Sequence, residues 1–290
     1  MMRLMSRLGA ALVALVSAVS AAPVLAQEII GEPRNWGLGF QPSVTPIKDQ
    51  MHDFHNLLLI IITAITLFVL ALLVFVILRF REDANKTPSK TTHNTLIEIV
   101  WTTVPVLILV IIAVPSFRLL YASDRVPESA ITIKATGMQW YWNYEYDHPD
   151  QGTFQFDSFM LTDEEAAEAG LPRLLGVDQE IVVPTDTNIR VVVTAGDVLH
   201  SFAVPSFGVK VDAVPGRLNE IWFNVNTPGL YFGQCSELCG TGHAYMPIQV
   251  RAVPRDEYDA WLDEMAEQYA EAPATAPARA TQLADARSAQ

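Results

Sequence analysis

Two long apolar segments limit what the first half of this chain can form. Residues 57–78 contain no charged side chain, and their only polar members are Thr63 and Thr66, while residues 99–117 are also uncharged. As helices these segments would be about 33 Å and 28 Å long, which matches the hydrocarbon core of a bilayer. The prolines Pro105 and Pro115 are compatible with a membrane helix when neighbouring groups satisfy the freed carbonyls. The sequence therefore predicts two transmembrane helices.

The charges beside these segments predict their orientation. The connecting residues 79–90 hold four basic side chains, and a basic loop favours the cytoplasmic side. Residues 1–26 have the pattern of an export signal, with Arg3 and Arg7 before an apolar stretch and Val-Leu-Ala at its end. An uncleaved anchor helix is the alternative. A cleaved signal leaves the new N-terminus outside the cytoplasm, and two crossings return the chain to that side. This argument agrees with the basic loop, and both place everything after residue 121 outside the cytoplasm.

That exported part has the pattern of a β-domain. Short β-branched and aromatic runs alternate with turn residues, which is typical of an antiparallel sandwich. We predict ten strands, at 131–135, 140–146, 153–159, 180–183, 189–194, 200–204, 209–214, 220–225, 230–233 and 247–253.

Helical signals interrupt and follow the strands. Thr162 and Glu165 form a capping box, and Gly170 is a plausible stop. After Pro254, apolar residues at helical spacing predict an amphipathic helix. The predicted organisation is a signal peptide at 1–26, an extracytoplasmic segment at 27–53, a transmembrane hairpin at 54–121, the β-domain at 122–254, a C-terminal helix at 255–270 and a disordered tail at 271–290.

The charge of the exported part narrows its partners. From residue 122 onward the chain has 25 Asp and Glu against 10 Lys and Arg. This excess excludes nucleic acid as a natural partner and favours a basic protein, because a field of one sign attracts the opposite sign. The alternative is that the acidic surface only keeps the domain soluble.

A cluster of soft ligands near the C-terminus indicates a metal site. Cys235, Cys239, His243 and Met246 lie within twelve residues, and His200 begins another predicted strand. Thiolate, thioether and imidazole together are typical copper ligands. A single cysteine would make a mononuclear site, whereas the second cysteine lets two thiolates bridge two coppers, each with one terminal histidine.

Other interpretations of these residues stay open from the sequence. Cys235 and Cys239 could form a disulfide in an oxidising compartment. Zinc could take two cysteines and two histidines, although the spacing is not that of a zinc finger and methionine is a poor zinc ligand. His200 alone could be a core histidine. No Cys-x-x-Cys-His motif is present, which excludes a c-type haem attachment site.

Four motifs of this sequence occur together in one known family: THNTLIE at 92–98 with Trp101, QWYWNYEY at 139–146, VDAVPGR at 211–217 and the cysteine loop at 233–246. The resemblance that they carry is to subunit II of the haem–copper cytochrome c oxidases in its bacterial form. It implies a two-helix transmembrane hairpin followed by an all-β cupredoxin-like Greek-key sandwich. It also implies a bacterial inner membrane location, with the copper domain on the periplasmic side.

The resemblance implies roles for individual residues. His200, Cys235, Cys239, His243 and Met246 match the ligands of a mixed-valence copper pair. The backbone carbonyl of Glu237 matches a further ligand, and its side chain matches a magnesium ligand shared with the catalytic subunit. From the residues alone, Glu237 could equally be a solvated loop residue.

Five more positions match functional residues outside the copper ligands. Trp140 matches the residue through which electrons from cytochrome c enter, although Trp140 and Trp142 share a predicted strand face and core packing is the default for either. Glu98 matches the mouth of a proton path and could otherwise be an interfacial charge. Acidic docking residues are matched by three positions that composition alone would treat as surface charges, namely Glu145, Asp157 and Asp197.

The implied function is electron entry. The copper pair would accept an electron from reduced cytochrome c and pass it to a haem in a catalytic partner subunit of a proton-pumping oxygen reductase. A membrane-tethered copper carrier or assembly protein is the alternative, because such a protein also binds metal through paired cysteines.

Overall fold

The computed structural model describes residues 28–150 and 152–270, so the predicted signal peptide and disordered tail lie outside the described residues. The two apolar segments form the helices α1 (Pro46–Arg79) and α2 (Thr95–Asp124). Both have the length and apolar composition of a membrane span, and their most apolar windows are entirely unburied within the chain. Such exposed apolar surfaces are expected of helices that face lipid or neighbouring proteins.

Each long helix begins at a side-chain cap. The hydroxyl of Thr45 accepts a hydrogen bond from the backbone amide of Lys48. Pro46 occupies the first turn, where a backbone N–H has no partner within the helix, so the N–H that proline lacks is not needed. The side chain of Asn94 accepts a hydrogen bond from the amide of Ile97 in the same way. Because of its cap, α1 begins before residue 54, where we predicted the hairpin to start.

Eleven strands build the remaining domain within the described residues, and two shorter helices accompany them. The helices are α3 (Asp163–Glu168) and α4 (Arg255–Ala270). The strands are β1 (Ile29–Gly31), β2 (Ile131–Met138), β3 (Tyr141–His148), β4 (Gly152–Ser158), β5 (Ile181–Pro184), β6 (Ile189–Ala195), β7 (His200–Val204), β8 (Val209–Ala213), β9 (Asn219–Phe223), β10 (Gly229–Cys235) and β11 (Pro247–Val253).

The strands form two packed sheets. One has the order β5-β11-β10-β7-β8, with β1 also paired to β10, and the other has the order β4-β3-β2-β6-β9. All ten predicted strands are present, with bounds that shift by up to three residues, while β1 was not predicted. The fold is therefore the predicted two-sheet sandwich.

The predicted antiparallel sandwich also contains parallel strand pairs, which we did not predict. β2 pairs with β6 in parallel, β5 pairs with β11 in parallel, and β1 pairs with β10 in parallel. Long excursions of the chain separate the members of each pair, and such crossovers permit parallel pairing. Alternation within one strand reports which side chains face the core and carries no information about the direction of its neighbour.

The core lies between the two sheets and beneath α4. Strand β3 turns Trp142, Tyr144 and Tyr146 inward, as its alternating burial shows. Helix α4 covers one side, with Tyr258 and Leu262 buried, as its helical spacing predicted. The capping box of α3 is also confirmed, and Gly170 follows the helix with φ of 68°.

The sandwich is tied to both long helices. The Thr45 hydroxyl donates a 2.8 Å hydrogen bond to the carbonyl of Phe207, and the indole of Trp222 donates a 3.1 Å hydrogen bond to the carbonyl of Ala122. These contacts attach the domain to the start of α1 and to the last turns of α2. The domain therefore sits at one end of the hairpin.

Candidate metal centre

The predicted ligand side chains converge on one small volume. Sγ of Cys235 lies 3.8 Å from Sγ of Cys239 and 3.9 Å from Nδ1 of His200. Sγ of Cys239 lies 3.6 Å from Nδ1 of His243 and 3.6 Å from Sδ of Met246. Two sulfurs therefore lie side by side at the centre, with one imidazole beside each of them.

Strand pairing brings the distant His200 to the cysteine loop. His200 opens β7 and Cys235 closes β10, and the two strands are antiparallel neighbours in which Cys235 faces Phe202. The amide of Ser236 then donates a 3.0 Å hydrogen bond to the carbonyl of Ser201, which holds the beginning of the loop against β7. The loop returns through a short 3₁₀ turn at His243–Tyr245 to β11.

The donor set fits copper. Both cysteines are free and buried, so this structure does not contain the alternative disulfide. The donor atoms of His200, Cys235 and Cys239 all lie within 4.8 Å of one another. The carbonyl of Glu237 lies 3.3 Å from Sγ of Cys235, which adds one hard oxygen to the soft ligands. Thiolates, imidazoles and a thioether are the combination that stabilises copper in both of its oxidation states.

The two thiols differ in acidity, because hydrogen bonds favour the thiolate of Cys235 and its charge then opposes a charge on Cys239. Burial alone would raise the pKa of Cys235, but its hydrogen bonds with His200 and the backbone outweigh burial and lower the pKa to about 6. Burial and the negative charge of Cys235 raise the pKa of Cys239 to about 12. Two thiolates at this spacing therefore need a cation between them at neutral pH.

Asp197 contacts the candidate ligand His200 on the side away from the sulfurs. Oδ1 of Asp197 lies 2.8 Å from Nε2 of His200, which leaves Nδ1 facing Cys235. Burial opposes the charge on His200, but its hydrogen bonds with Cys235 and Asp197 raise the pKa above the ordinary value. Burial also opposes the charge on Asp197, and the hydrogen bonds from His200, Val198 and Gln139 lower the pKa of that carboxyl. We predicted Asp197 as a docking residue, and this inward contact was not foreseen.

The two candidate tryptophans occupy different environments. Trp142 is fully buried, and its indole donates a 3.2 Å hydrogen bond to the carbonyl of Met246. Trp140 lies in the turn before β3, is half-buried, and donates a 3.2 Å hydrogen bond to the carbonyl of Cys239. The sequence could not separate them because both fall in one predicted strand. Only Trp140 combines contact with the ligand loop and access to solvent.

Two residues of the site had no visible signal in the sequence. The side chain of Gln139 donates a 2.8 Å hydrogen bond to the same carbonyl of Cys239. Gly242 lies so close to Trp140 that an added Cβ would be 2.7 Å from Cε3 of that ring and closer still to Cγ and Cδ2. A glycine in a loop is common, and only the position of the ring shows why this one is needed.

The remaining predicted residues lie outside the group of candidate metal ligands. Glu145 and Asp157 lie on neighbouring strands on the outer face of a sheet, where Glu145 forms a 2.9 Å ion pair with Lys134 and Asp157 accepts a 2.9 Å hydrogen bond from Asn143. Glu98 lies in the first turn of α2, where its carboxylate accepts a hydrogen bond from the amide of Asn94. The side chain of Glu237 is exposed.

Three exposed apolar side chains are neighbours in sequence of the candidate metal ligands. Leu238 is 76% exposed and lies between the two cysteines, while Leu199 precedes His200 and Tyr245 precedes Met246, with exposures of 47% and 44%. Their chain neighbours His200, Cys239 and Met246 converge on one site, and we call these three exposed residues the apolar patch. Larger exposed apolar areas are a feature of protein-binding surfaces.

Comparison with known proteins gives matches in both parts of the chain. The family model described as cytochrome c oxidase subunit II, periplasmic domain, matches residues 131–253, and the model of the transmembrane domain of that subunit matches residues 33–119. The chain is 52% identical over 231 residues to a probable cytochrome c oxidase subunit 2 of Rickettsia bellii, covering 80% of this chain and 85% of the relative.

Two further matches extend this similarity. The chain is 45% identical over 267 residues to cytochrome c oxidase subunit 2 of Cereibacter sphaeroides, covering 86% of this chain and 87% of the relative. It is also similar to the solved periplasmic domain of subunit II of cytochrome oxidase from Bradyrhizobium japonicum, with 53% identity and a TM-score of 0.46, covering 50% of this chain and 99% of that chain.

Proposed function

The chain belongs to the cytochrome c oxidase subunit II family, and from this premise we propose that its β-domain is the point at which electrons from cytochrome c enter a haem–copper oxidase complex. The observation that carries the proposal is the convergence of two cysteines, two histidines and a methionine beneath a partly exposed tryptophan. As a subunit of an oxidase the chain works beside other subunits, and its catalytic partner carries the haem groups.

The copper site of the domain has the ligands for two ions. Cys235 and Cys239 would bridge the pair, and His200 and His243 would each bind one ion through Nδ1, the nitrogen that faces the sulfurs. Met246 and the carbonyl of Glu237 would be the weaker ligands at the two ends. A copper pair held by these residues would supply a one-electron carrier whose geometry changes little on transfer.

The surroundings of the site are suited to a transient electron donor. The Trp140 ring is partly exposed and donates a hydrogen bond to the carbonyl of Cys239, so a docked cytochrome would meet this ring before the buried ligands. Glu145 and Asp157 add negative charge on the neighbouring sheet face. Opposite charges attract a basic cytochrome from a distance, and the apolar patch orders the contact once water has left.

Two carboxylates would serve the partner subunit. The exposed side chain of Glu237 can reach out of the loop, and we propose that it binds magnesium at the boundary with the catalytic subunit. Glu98 lies at the start of α2, where the apolar segment begins, and we propose that it collects protons for a path into the same subunit.

The chain is a membrane protein with a soluble domain, because two apolar helices precede the sandwich. We propose that the basic connection between α1 and α2 faces the cytoplasm, so that the copper domain faces the periplasm. The copper-carrier alternative is less favoured, since the relatives that match over most of their length are oxidase subunits.

The test is stopped-flow reduction of the purified oxidase complex by cytochrome c across a series of ionic strengths. Trp140→Gln should lower the rate of electron transfer and leave the salt dependence of binding nearly unchanged, because the ring acts after contact. Glu145→Gln should reduce the salt dependence of binding and leave the rate of electron transfer after docking nearly unchanged. Exposed charges act at long range and are screened beyond about 8 Å.

A copper-site absorption spectrum of each variant is the control for an intact centre. If Trp140→Gln transferred electrons at the original rate, or lost rate only through weaker binding, Trp140 would not be the entry residue. A wild-type complex that bound copper without accepting an electron from cytochrome c would favour the copper carrier.

A further inference from the structure

We propose that Asp197 is a positioning residue that holds His200 and the Trp140 turn in place, rather than a docking acid on the surface. Its two carboxylate oxygens accept three hydrogen bonds from within the domain: 2.8 Å from Nε2 of His200, 2.6 Å from the amide of Val198 and 2.7 Å from the amide of Gln139. A carboxylate with this many internal donors is directed toward the protein, even though part of the side chain touches solvent.

The first function of this carboxylate is to orient the His200 ring. His200 is fully buried, and its side chain packs against Gly137, where an added Cβ would lie 2.9 Å from three side-chain atoms of His200. Trp142 packs at a tilt on the ring, with centroids 6.2 Å apart. These apolar contacts fix the plane of the ring, and the hydrogen bond to Asp197 fixes which nitrogen points toward Cys235.

The second function is to connect this histidine to the turn that carries Trp140. Asp197 accepts the amide of Gln139, and Gln139 and Trp140 both donate side-chain hydrogen bonds to the carbonyl of Cys239. One carboxylate therefore joins a terminal ligand, the electron-entry ring and the backbone of a central ligand in a single network. A shift of Asp197 would be transmitted to both His200 and Trp140.

The two ends of the metal site differ in this respect. His243 also faces a sulfur through Nδ1, but the described residues include no hydrogen-bond partner for its Nε2. A partner on the second nitrogen of a metal-binding histidine orients the ring and increases its basicity. A carboxylate thus orients the His200 ring through Nε2, whereas the orientation of His243 depends on the conformation of its loop.

Two variants of Asp197 separate positioning from docking. Asp197→Glu keeps the negative charge but places the carboxylate one methylene further from the backbone, so it preserves a docking role and disturbs the hydrogen bonds. Asp197→Asn keeps the size, removes the charge and replaces one acceptor oxygen by a donor. Glu145→Gln is the matched control, because it removes a charge on the outer face without touching the metal site.

The inference rests on the proposed copper site, so the wild-type oxidase complex is measured first. Copper per complex, retention of copper against a chelator, the absorption and paramagnetic resonance spectra of the site, and the salt dependence of reduction by cytochrome c are compared for all variants. Loss of a ligand's supporting partner typically weakens metal affinity by about 10–100-fold.

If Asp197 is a positioning residue, both of its variants should weaken copper retention by about this factor and alter the spectra, while Asp197→Glu keeps the wild-type salt dependence. Should either variant fail to assemble, the other gives the same comparison, and the melting profile of the copper-free chain separates lost copper from lost fold. Wild-type retention and spectra in both variants, with a flattened salt dependence in Asp197→Asn only, would overturn the inference. A wild-type complex without a copper pair would instead refute the proposed function.

Discussion

Gly242→Ala tests whether the close packing of the ligand loop on Trp140 is required. The added methyl carbon would lie 2.7 Å from Cε3 of Trp140 and closer to two other ring atoms, well inside the 3.4 Å at which ordinary contact begins. Either the ring or the loop must therefore move. The 3.2 Å hydrogen bond from Trp140 to the carbonyl of Cys239 would then be lost.

The expected cost follows from overpacking. Inserting a methyl group into a closely packed site typically destabilises by about 1–3 kcal/mol. For a domain of this size each kcal/mol lowers the midpoint of thermal unfolding by roughly 2–4 °C. Thermal unfolding of the copper-free chain in detergent measures this cost, and stopped-flow reduction of the assembled complex should show slower electron entry with unchanged salt dependence.

Two controls make the test specific. Gly39→Ala adds a methyl group where nothing lies within 4 Å, so it should leave both measurements unchanged. In a Trp140→Ala background the methyl group of Gly242→Ala has room. The loss of stability in the double variant should therefore be smaller than the sum of the losses in the two single variants. Strict additivity, or wild-type stability and electron entry in Gly242→Ala itself, would refute the packing argument.

Five other substitutions separate the remaining roles. Cys235→Ser and Cys239→Ser should each abolish the two-copper spectrum because a hydroxyl cannot replace a bridging thiolate, and two coppers in either variant would contradict a bridged site. Met246→Leu should retain copper and shift its reduction potential. Glu98→Gln should leave reduction of the copper site by cytochrome c intact and slow turnover of the complex, and unchanged turnover across the pH range would make Glu98 an interfacial charge. Trp142→Ala should lower the free energy of unfolding by about 3–5 kcal/mol, and a much smaller loss in a denaturant titration of the copper-free chain would show that this ring is not core.

Features set by neighbouring residues could be predicted from the sequence. The two helices follow from continuous apolar segments, since a bilayer-length run without charge has few other stable forms. The capping box at Thr162 is another local pattern, and the structure has it as predicted. Four of the candidate ligands lie in one loop, so their proximity required no knowledge of the fold, and the choice of copper followed from their chemistry.

Features that depend on the path of the chain needed the tertiary structure. The parallel pairing of β2 with β6 was not predictable, because alternation along a strand is the same for either direction of its neighbour. The choice between Trp140 and Trp142 depended on where β3 begins, a boundary that local pattern leaves uncertain by several residues.

Asp197 shows the same limit most clearly. In the sequence it is one of many acidic residues beside a strand, and nothing in its neighbours distinguishes a free surface charge from a hydrogen-bond partner of His200. Its three hydrogen bonds come from β7, from the turn before β3 and from its own loop, which meet only when the two sheets pack. Local patterns specify elements and faces, whereas contacts between distant segments form only in the packed domain.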